Sequence, residues 1–181
     1  MWRPMVSTLP IIDISALGGD DTRLIRKAAD EMGRAAREVG FFYITGHGVD
    51  LNLIEHAYKT AEAFFALPDQ VKRASYIGDS LNHRGYVPFT EKGDYADEVN
   101  RNYEAFDLAL DLPQDDPDYL AGNLLLGPNV WPMMDGFKET VSAYYTAISS
   151  VGMAICSALE LHLDLIPGEL TRQMSKPISQ L

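Results

Sequence analysis

The side chains that could act on another molecule lie mainly in one short segment of this sequence, Arg84 to Glu91. An arginine and a glutamate stand there among aromatic residues, a combination that could orient a polar small molecule. The structural alternative is that Tyr86 and Phe89 pack into the core while the charged groups face water. Both interpretations stay open at this point.

The four histidines do not form a recognisable metal site. His162 and Asp164 are two residues apart in a helical pattern, where such side chains point to nearly opposite sides and cannot close on one ion. His47 lies in a Gly-His-Gly turn and is expected to bond to backbone, and His56 lies on the polar side of its helix. His83 has a place near the segment described above, although an ordinary loop position is the simpler interpretation. We therefore predict no metal ligand and no catalytic residue in these 181 residues.

Composition excludes several classes of partner. Fifteen basic and twenty-six acidic residues give a net charge of −11, which repels phosphate backbones, so no nucleic acid is expected to bind. A single cysteine, Cys156, excludes an internal disulfide and suits a reducing cytoplasm. Because no eighteen apolar residues run together and no apolar leader follows Met1, neither a membrane span nor export is indicated.

The first half of the sequence predicts helices around a short apolar strand. Residues 41–45 are aromatic and β-branched, and they predict a strand that is buried on both faces. The preceding helix is predicted to begin behind Asp20 or Asp21 and to end at Gly40, which tolerates positive φ. Residues 11–14 predict another brief strand.

The next helix is predicted to begin behind Asp50, and Pro68 can open a further short helix. Residues 75–104 show no regular spacing of apolar residues and are expected to form irregular structure without helices or strands. Alternation returns at residues 105–110, which predict a strand, and the acidic residues 111–118 predict a solvated surface loop. A helical pattern of about thirty positions starts at Trp131.

Three segments carry a family resemblance through their order and spacing. The first is Gly40-Phe41-Phe42-Tyr43-Ile44-Thr45-Gly46-His47-Gly48-Val49, and the second is Phe64-Phe65-Ala66-Leu67-Pro68 followed by Lys72. The third is Arg84-Gly85-Tyr86-Val87-Pro88, with Glu104-Ala105-Phe106-Asp107 and Gly127-Pro128-Asn129-Val130-Trp131-Pro132 downstream. Together they resemble the N-terminal region of the isopenicillin N synthase-like family of iron(II)/2-oxoglutarate oxygenases, over nearly the whole chain.

The resemblance implies an α+β fold, namely the helix-rich N-terminal portion, with a few strands, of a double-stranded β-helix (jelly-roll) oxygenase. Residues 1–176 would form the non-haem dioxygenase N-terminal domain. Residues 177–181 would begin the jelly-roll catalytic domain, whose remainder is absent from this sequence. Such a fragment is expected to expose apolar faces, and therefore to aggregate or to bind hydrophobic dyes.

The resemblance also implies where the cofactors bind. In the family a His-x-Asp pair and a distant histidine hold the iron, and an Arg-x-Ser pair holds 2-oxoglutarate. His162-Leu163-Asp164 matches the first pattern literally, but the family's pair lies later in the chain and no histidine follows Asp164. Fe(II) and 2-oxoglutarate are therefore expected to bind the missing C-terminal region, and this chain alone is predicted to be inactive.

The implied activity is O2-dependent oxidation of a small organic molecule by hydroxylation, desaturation or cyclisation, in the cytoplasm. In the family, the loop after the Arg-Gly-Tyr segment often lies over the mouth of the iron site. The candidate substrate-binding residues carried over from this loop are Arg84, Tyr86, Phe89, Thr90 and Glu91. The alternative hypothesis is a catalytically inactive, stand-alone protein-interaction module.

Overall fold

The computed structural model describes residues 8–89 and 103–181. These residues divide into two units, one made of residues 8–50 and 146–175 and the other of residues 51–89, 103–145 and 176–181. The mixture of helices and short strands agrees with the predicted helix-rich α+β class. In chain order the elements are β1 (Ile11–Asp13), α1 (Thr22–Glu38), β2 (Tyr43–Thr45), α2 (Leu51–Phe65), α3 (Asp69–Lys72), β3 (Gly85–Val87), β4 (Ala105–Asp107), α4 (Pro117–Leu120) and α5 (Phe137–His162).

Helix α1 begins and ends where the sequence predicts. The Asp21 carboxylate accepts hydrogen bonds from the backbone N–H groups of Arg23 (3.0 Å) and Leu24 (3.2 Å), which satisfies two donors that the first turn leaves free. Gly40 follows the last turn with φ +89°, and its N–H donates to the Ala35 carbonyl. Both signals are local, which is why the sequence alone reveals them.

Strands β1 and β2 form a parallel pair in the first unit, in the register Ile11↔Tyr43, Ile12↔Ile44 and Asp13↔Thr45. The prediction that residues 41–45 are buried on both faces is wrong. Phe42 and Ile44 pack on the core, whereas Phe41 is 73% and Tyr43 61% exposed. The two-stranded sheet has one face on the core, and nothing in the described residues covers the other.

The end of α5 and the loop that follows it are fixed by polar contacts within the first unit. The imidazole of His162 packs on Gly33, where a Cβ atom would lie 1.9 Å from the ring. Its Nδ1 lies 2.9 Å from Asp30 Oδ1 and its Nε2 lies 2.8 Å from Arg37 Nη2. The buried carboxylate of Glu160 accepts from the backbone N–H groups of residues 168, 170 and 171, which lowers the pKa of Glu160.

An aromatic cluster forms the core of the second unit. Phe64 is fully buried at its centre, and its ring centroid lies 5.1–5.9 Å from those of four neighbours, in mostly edge-to-face contacts. These neighbours are Phe65, Tyr86, Phe106 and Phe137. The cluster joins α2, β3, β4 and the start of α5 into one packed body.

The region that was predicted to be irregular contains a strand. Gly85–Val87 forms β3 and pairs antiparallel with β4 in the register Gly85↔Asp107, Tyr86↔Phe106 and Val87↔Ala105. The sequence pattern does not predict it, because a three-residue strand that starts at a glycine and ends before a proline shows no alternation of apolar and polar residues. Further along, Gln180 bridges Ala109, and the backbone groups of Leu181 and Leu108 exchange hydrogen bonds. Gln180 and Leu181 lie within the segment 177–181, where the jelly-roll domain is expected to begin.

The prediction of a solvated acidic loop over residues 111–118 is wrong at Asp116, which is buried. Its carboxylate accepts from the N–H groups of Asp118 (3.0 Å) and Tyr119 (3.4 Å) at the start of α4. Lys176 Nζ donates to both of its oxygens, at 3.0 and 2.9 Å, and to Asp118 Oδ2 at 2.5 Å. A lysine 60 positions away supplies this partner, so the local composition could not reveal it.

Asp116→Asn should make the acid sensitivity of the protein weaker. The hydrogen bond from Lys176 holds the pKa of Asp116 below its usual range, so the pair adds stability above a pH of about 4 and loses it as pH falls through the folded-state pKa. The stability difference between wild type and Asp116→Asn should therefore be largest near pH 7 and should shrink below about pH 4. Urea unfolding midpoints measured from pH 3 to pH 7 test this.

Asp115→Asn is the matched control, because Asp115 is exposed and adjacent. Its difference from wild type should show no such dependence on pH. A gap between wild type and Asp116→Asn that is equally large at pH 3 and pH 7 would contradict the assignment of this ion pair.

Helix α5 is the longest helix of the described structure, with 26 residues. Residues 137–145 belong to the second unit and residues 146–162 to the first. By length and composition it would also be apolar enough to cross a membrane, although only 11% of its most apolar window is buried in the described structure. One such helix is weak evidence, since core helices of soluble proteins share this composition. The absence of a membrane partner stays a prediction.

Candidate functional site

The predicted substrate segment begins with a tight turn in the second unit. Ser80 Oγ donates to Asn82 Oδ1 (2.7 Å) and accepts from the Arg84 N–H (3.2 Å). Between these residues His83 adopts φ +55°, a conformation that non-glycine residues rarely hold. The Asn82 amide donates to the Pro128 carbonyl (2.9 Å), which ties the turn to the Gly-Pro-Asn-Val-Trp-Pro motif.

Arg84 is 4% exposed, and carbonyl oxygens surround its guanidinium group. Its Nη1 donates to the carbonyls of Asn82 (2.7 Å) and His83 (3.1 Å), and its Nη2 donates to that of Leu125 (2.7 Å). Its Nε has no hydrogen-bond partner among the described residues. Burial lowers the pKa of Arg84, but the group stays charged because an arginine pKa lies far above neutrality. Arg84 thus joins two loops that are 41 residues apart.

Gly85 separates Arg84 from Tyr86 and has a conformation that requires glycine. Its φ is +120°, and a Cβ atom at this position would lie 2.3 Å from the Ser75 carbonyl oxygen. The backbone therefore approaches residue 75 more closely than any side chain would permit. This close approach explains the glycine of the Arg-Gly-Tyr motif without reference to a ligand.

Tyr86 is fully buried, on the side of the aromatic cluster. Its hydroxyl donates to Glu104 Oε2 (2.5 Å), and the same oxygen accepts from Lys72 Nζ (2.6 Å). Lys72 also donates to the Phe65 carbonyl and lies 5.3 Å from the centroid of the Tyr86 ring. Burial, followed by the hydrogen bond to Glu104, raises the pKa of Tyr86. This buried network was not predicted, because no local pattern in the sequence indicates a contact between Lys72 and Glu104, which are 32 positions apart.

The remaining predicted site residues lie at or beyond the end of the described segment. Phe89 is 48% exposed. Thr90 and Glu91 lie outside the described residues. The structure therefore places Arg84 and Tyr86 close in the chain but in different surroundings, with Phe89 at the surface.

A cavity of about 360 Å³ lies beside this segment and is the candidate site of the second unit. The face of the strands that carries Asp107 and Ala109 forms one wall. Polar groups from three chain segments meet there, a feature of small-molecule sites. They belong to His83, Arg84, Asp107, Ser179 and Gln180, and the apolar lining comes from Ile77, Val87, Leu125 and Ile178.

Only part of this cavity could be found in the sequence. The Arg-Gly-Tyr motif indicates Arg84, and His83 is adjacent to it. Asp107 belongs to a motif that assigns it no role, and Ser179 and Gln180 carry no signal in the sequence. The antiparallel bridge between Ala109 and Gln180 brings the last two residues to the cavity, and no local pattern predicts a contact across 71 positions.

The described residues do not fit an iron site. No three His, Cys, Asp or Glu side chains among residues 8–89 and 103–181 converge as metal ligands. His162 and Asp164 already have other partners in the first unit, since His162 contacts Asp30 and Asp164 accepts from Arg26 Nη1 (2.9 Å). His47 Nδ1 accepts from the Val49 N–H (3.1 Å), the backbone role that the turn predicts.

Comparison with known proteins identifies the family. A family model described as "non-haem dioxygenase in morphine synthesis N-terminal" matches residues 9–134. Kihadalactone A synthase of Citrus sinensis is 32% identical over 152 residues, which cover 78% of this chain and 42% of that protein. A 2-oxoglutarate-dependent dioxygenase of Monascus ruber is 31% identical over 169 residues, which cover 90% of this chain and 48% of that protein.

A solved structure shows the same similarity in three dimensions. A 2OG-Fe(II) oxygenase family protein of Caulobacter crescentus superposes with a TM-score of 0.70 at 26% identity, covering 88% of this chain and 50% of that one. The chain spans less than half the length of the two relatives named above. The order of the three motifs, the family match and this structural similarity agree, and the chain belongs to the non-haem iron/2-oxoglutarate oxygenase family as an N-terminal region.

Proposed function

We propose that this chain is the N-terminal part of an iron(II)/2-oxoglutarate-dependent oxygenase that oxidises a small organic molecule by hydroxylation, desaturation or cyclisation. The observation that carries the proposal is the family match over residues 9–134, in a chain whose relatives are about twice as long. Iron(II) with 2-oxoglutarate would supply the oxygen-activating chemistry. Because the described residues do not fit an iron site, no step of that chemistry is assigned to them.

The contribution of this chain is expected on the substrate side. Arg84, Tyr86, Phe89, Thr90 and Glu91 remain the proposed substrate-binding set. In the cavity beside them, the guanidinium of Arg84 and the carboxylate of Asp107 carry opposite charges among apolar walls. Such a wall would orient a small molecule that combines a polar end with an apolar body. Phe89, half exposed at the end of the segment, offers the aromatic surface.

Turnover by the protein in its natural length tests this proposal. With iron(II), ascorbate and O2, 2-oxoglutarate consumption should rise when one member of a panel of small metabolites is added. Phe89→Ala should then raise KM roughly 10-fold with little change in kcat, the effect of losing one apolar contact to the substrate. Leu81→Ala is the matched control, because Leu81 is an apolar residue, 74% exposed, that lies outside the proposed substrate-binding set. Equal effects of the two substitutions would contradict the substrate role.

The alternative function, a catalytically inactive interaction module, is favoured by one observation. Ile11, Phe41 and Tyr43 are 70%, 73% and 61% exposed, an apolar surface of the kind that partner proteins cover. Under this alternative, a partner protein would raise the melting temperature, and iron with 2-oxoglutarate would leave it unchanged.

Cellular location and further partners are part of the same proposal. The net charge of −11 argues against nucleic acid as a partner, and the single cysteine fits a reducing cytoplasm. We propose a cytoplasmic protein whose partners are O2 and a small-molecule substrate.

A further inference from the structure

The edge of β4 that faces the last residues of the chain accepts a strand. Leu108 N–H donates to the Leu181 carbonyl (3.3 Å), and Leu181 N–H donates to the Leu108 carbonyl (2.9 Å). In an antiparallel strand the backbone groups of successive residues alternate between the two edges. Phe106 therefore directs its N–H and C=O to the same edge as Leu108. Asp107 directs its own groups to the opposite edge, where Gly85 of β3 lies in register.

Asn129 confirms this alternation. Its side chain binds both backbone groups of Ala109, with the Ala109 N–H donating to Oδ1 (3.0 Å) and Nδ2 donating to the Ala109 carbonyl (2.7 Å). Ala109 thus has its partners on one edge and Leu108 on the other. The register Leu108↔Leu181, continued by two residues, reaches Phe106.

An apolar cavity of about 300 Å³ lies on the face of this strand that carries Phe106 and Leu108. Leu181 also lines it, as expected because residues directly opposite each other in an antiparallel pair share a face. Helix α2 and the start of α5 form the remaining walls, all within the second unit. These walls come from Ala57, Tyr58, Ala61, Phe64, Phe65, Phe137, Val141 and Tyr144.

We propose that, in a protein of its relatives' length, the residues that follow Leu181 continue antiparallel along this edge, and that the second of them fills the cavity with an apolar side chain. The register sets that residue opposite Phe106, on the cavity face. A charged side chain there would lose its hydration without gaining a partner, so the occupant is apolar. The inference rests on the proposed function only in assuming that the protein is as long as its relatives.

A double-mutant cycle in the protein with its natural continuation tests the inference. Replacing the second residue after Leu181 by alanine should empty the cavity and lower Tm by about 2–4 °C or more. Ala61→Leu places a larger side chain on the cavity wall. It should lower Tm when the cavity is filled, and it should raise Tm in the alanine background, because it then occupies the vacated space. This reversal of sign is the expected result.

Ala63→Leu is the control, since Ala63 lies on the same helix but is exposed. Its effect should be the same in both backgrounds. Additive effects of Ala61→Leu and the alanine substitution would overturn the inference, as would a stop codon directly after Leu181 or a charged residue at the second position. Turnover of 2-oxoglutarate is measured separately: turnover without the reversal contradicts this inference alone, and a reversal without turnover contradicts the proposed function alone.

Discussion

Lys72→Met is expected to lower the free energy of unfolding by about 3–5 kcal/mol, because it leaves the Glu104 carboxylate buried without its cation. The side chains of Lys72 and Glu104 are only 8% and 15% exposed, and Lys72 Nζ lies 2.6 Å from Glu104 Oε2. The Tyr86 hydroxyl donates to the same carboxylate and cannot neutralise it. Urea unfolding of the wild-type and variant proteins measures the difference.

The matched control is Lys59→Met. Lys59 pairs with Glu55 at the same distance of 2.6 Å, but their side chains are 64% and 62% exposed. Lys59→Met should therefore lower the free energy of unfolding by only about 0.2–1 kcal/mol. Adding Glu104→Gln to Lys72→Met should recover part of the lost stability, because the unpaired charge is then removed. If Lys72→Met were no more destabilising than Lys59→Met, the buried network would be refuted.

Gly85→Ala should lower the free energy of unfolding by about 2–6 kcal/mol. A residue with a side chain at φ +120° is strained by about 1–3 kcal/mol, and overpacking adds about the same amount. The new Cβ would lie 2.3 Å from the Ser75 carbonyl oxygen, a backbone atom that cannot rotate away. Since Gly85 starts β3, the substitution should also expose the β3–β4 pair, which hydrogen exchange of the Val87 amide would report.

Gly18→Ala serves as the comparison, because no atom lies within 4 Å of a Cβ built at Gly18. It should change the unfolding free energy by less than about 1 kcal/mol. A Gly85→Ala protein as stable as Gly18→Ala would show that the close approach to Ser75 is not maintained in solution.

Local signals account for the parts of the fold that the sequence predicted. Asp21 and Gly40 fix the two ends of α1 through hydrogen bonds that reach no further than five residues. The start of α2 behind Asp50 and the alternation of residues in β4 are local signals of the same kind. The errors have a different origin: Phe41 and Tyr43 carry strand-forming apolar side chains, but their exposure depends on what covers the sheet, which composition does not specify.

The candidate site was harder to predict because long-range contacts determine the environment of each residue. The Arg-Gly-Tyr motif marked the correct segment, yet the guanidinium of Arg84 is held by a carbonyl 41 residues away. The hydroxyl of Tyr86 is held by a carboxylate 18 residues away. The cavity wall from Ser179 and Gln180 depends on the bridge to Ala109. Pairings of this kind become visible only when the chain is folded.

Ferrous ion binding shows whether these residues support an iron centre whose ligands lie elsewhere in the protein. Under anaerobic conditions with 2-oxoglutarate, equilibrium dialysis should show no stoichiometric iron bound to the 181-residue chain. The protein with its natural continuation should bind one ferrous ion per chain. Tight, stoichiometric binding of iron by the 181-residue chain alone would show instead that this region holds the iron itself.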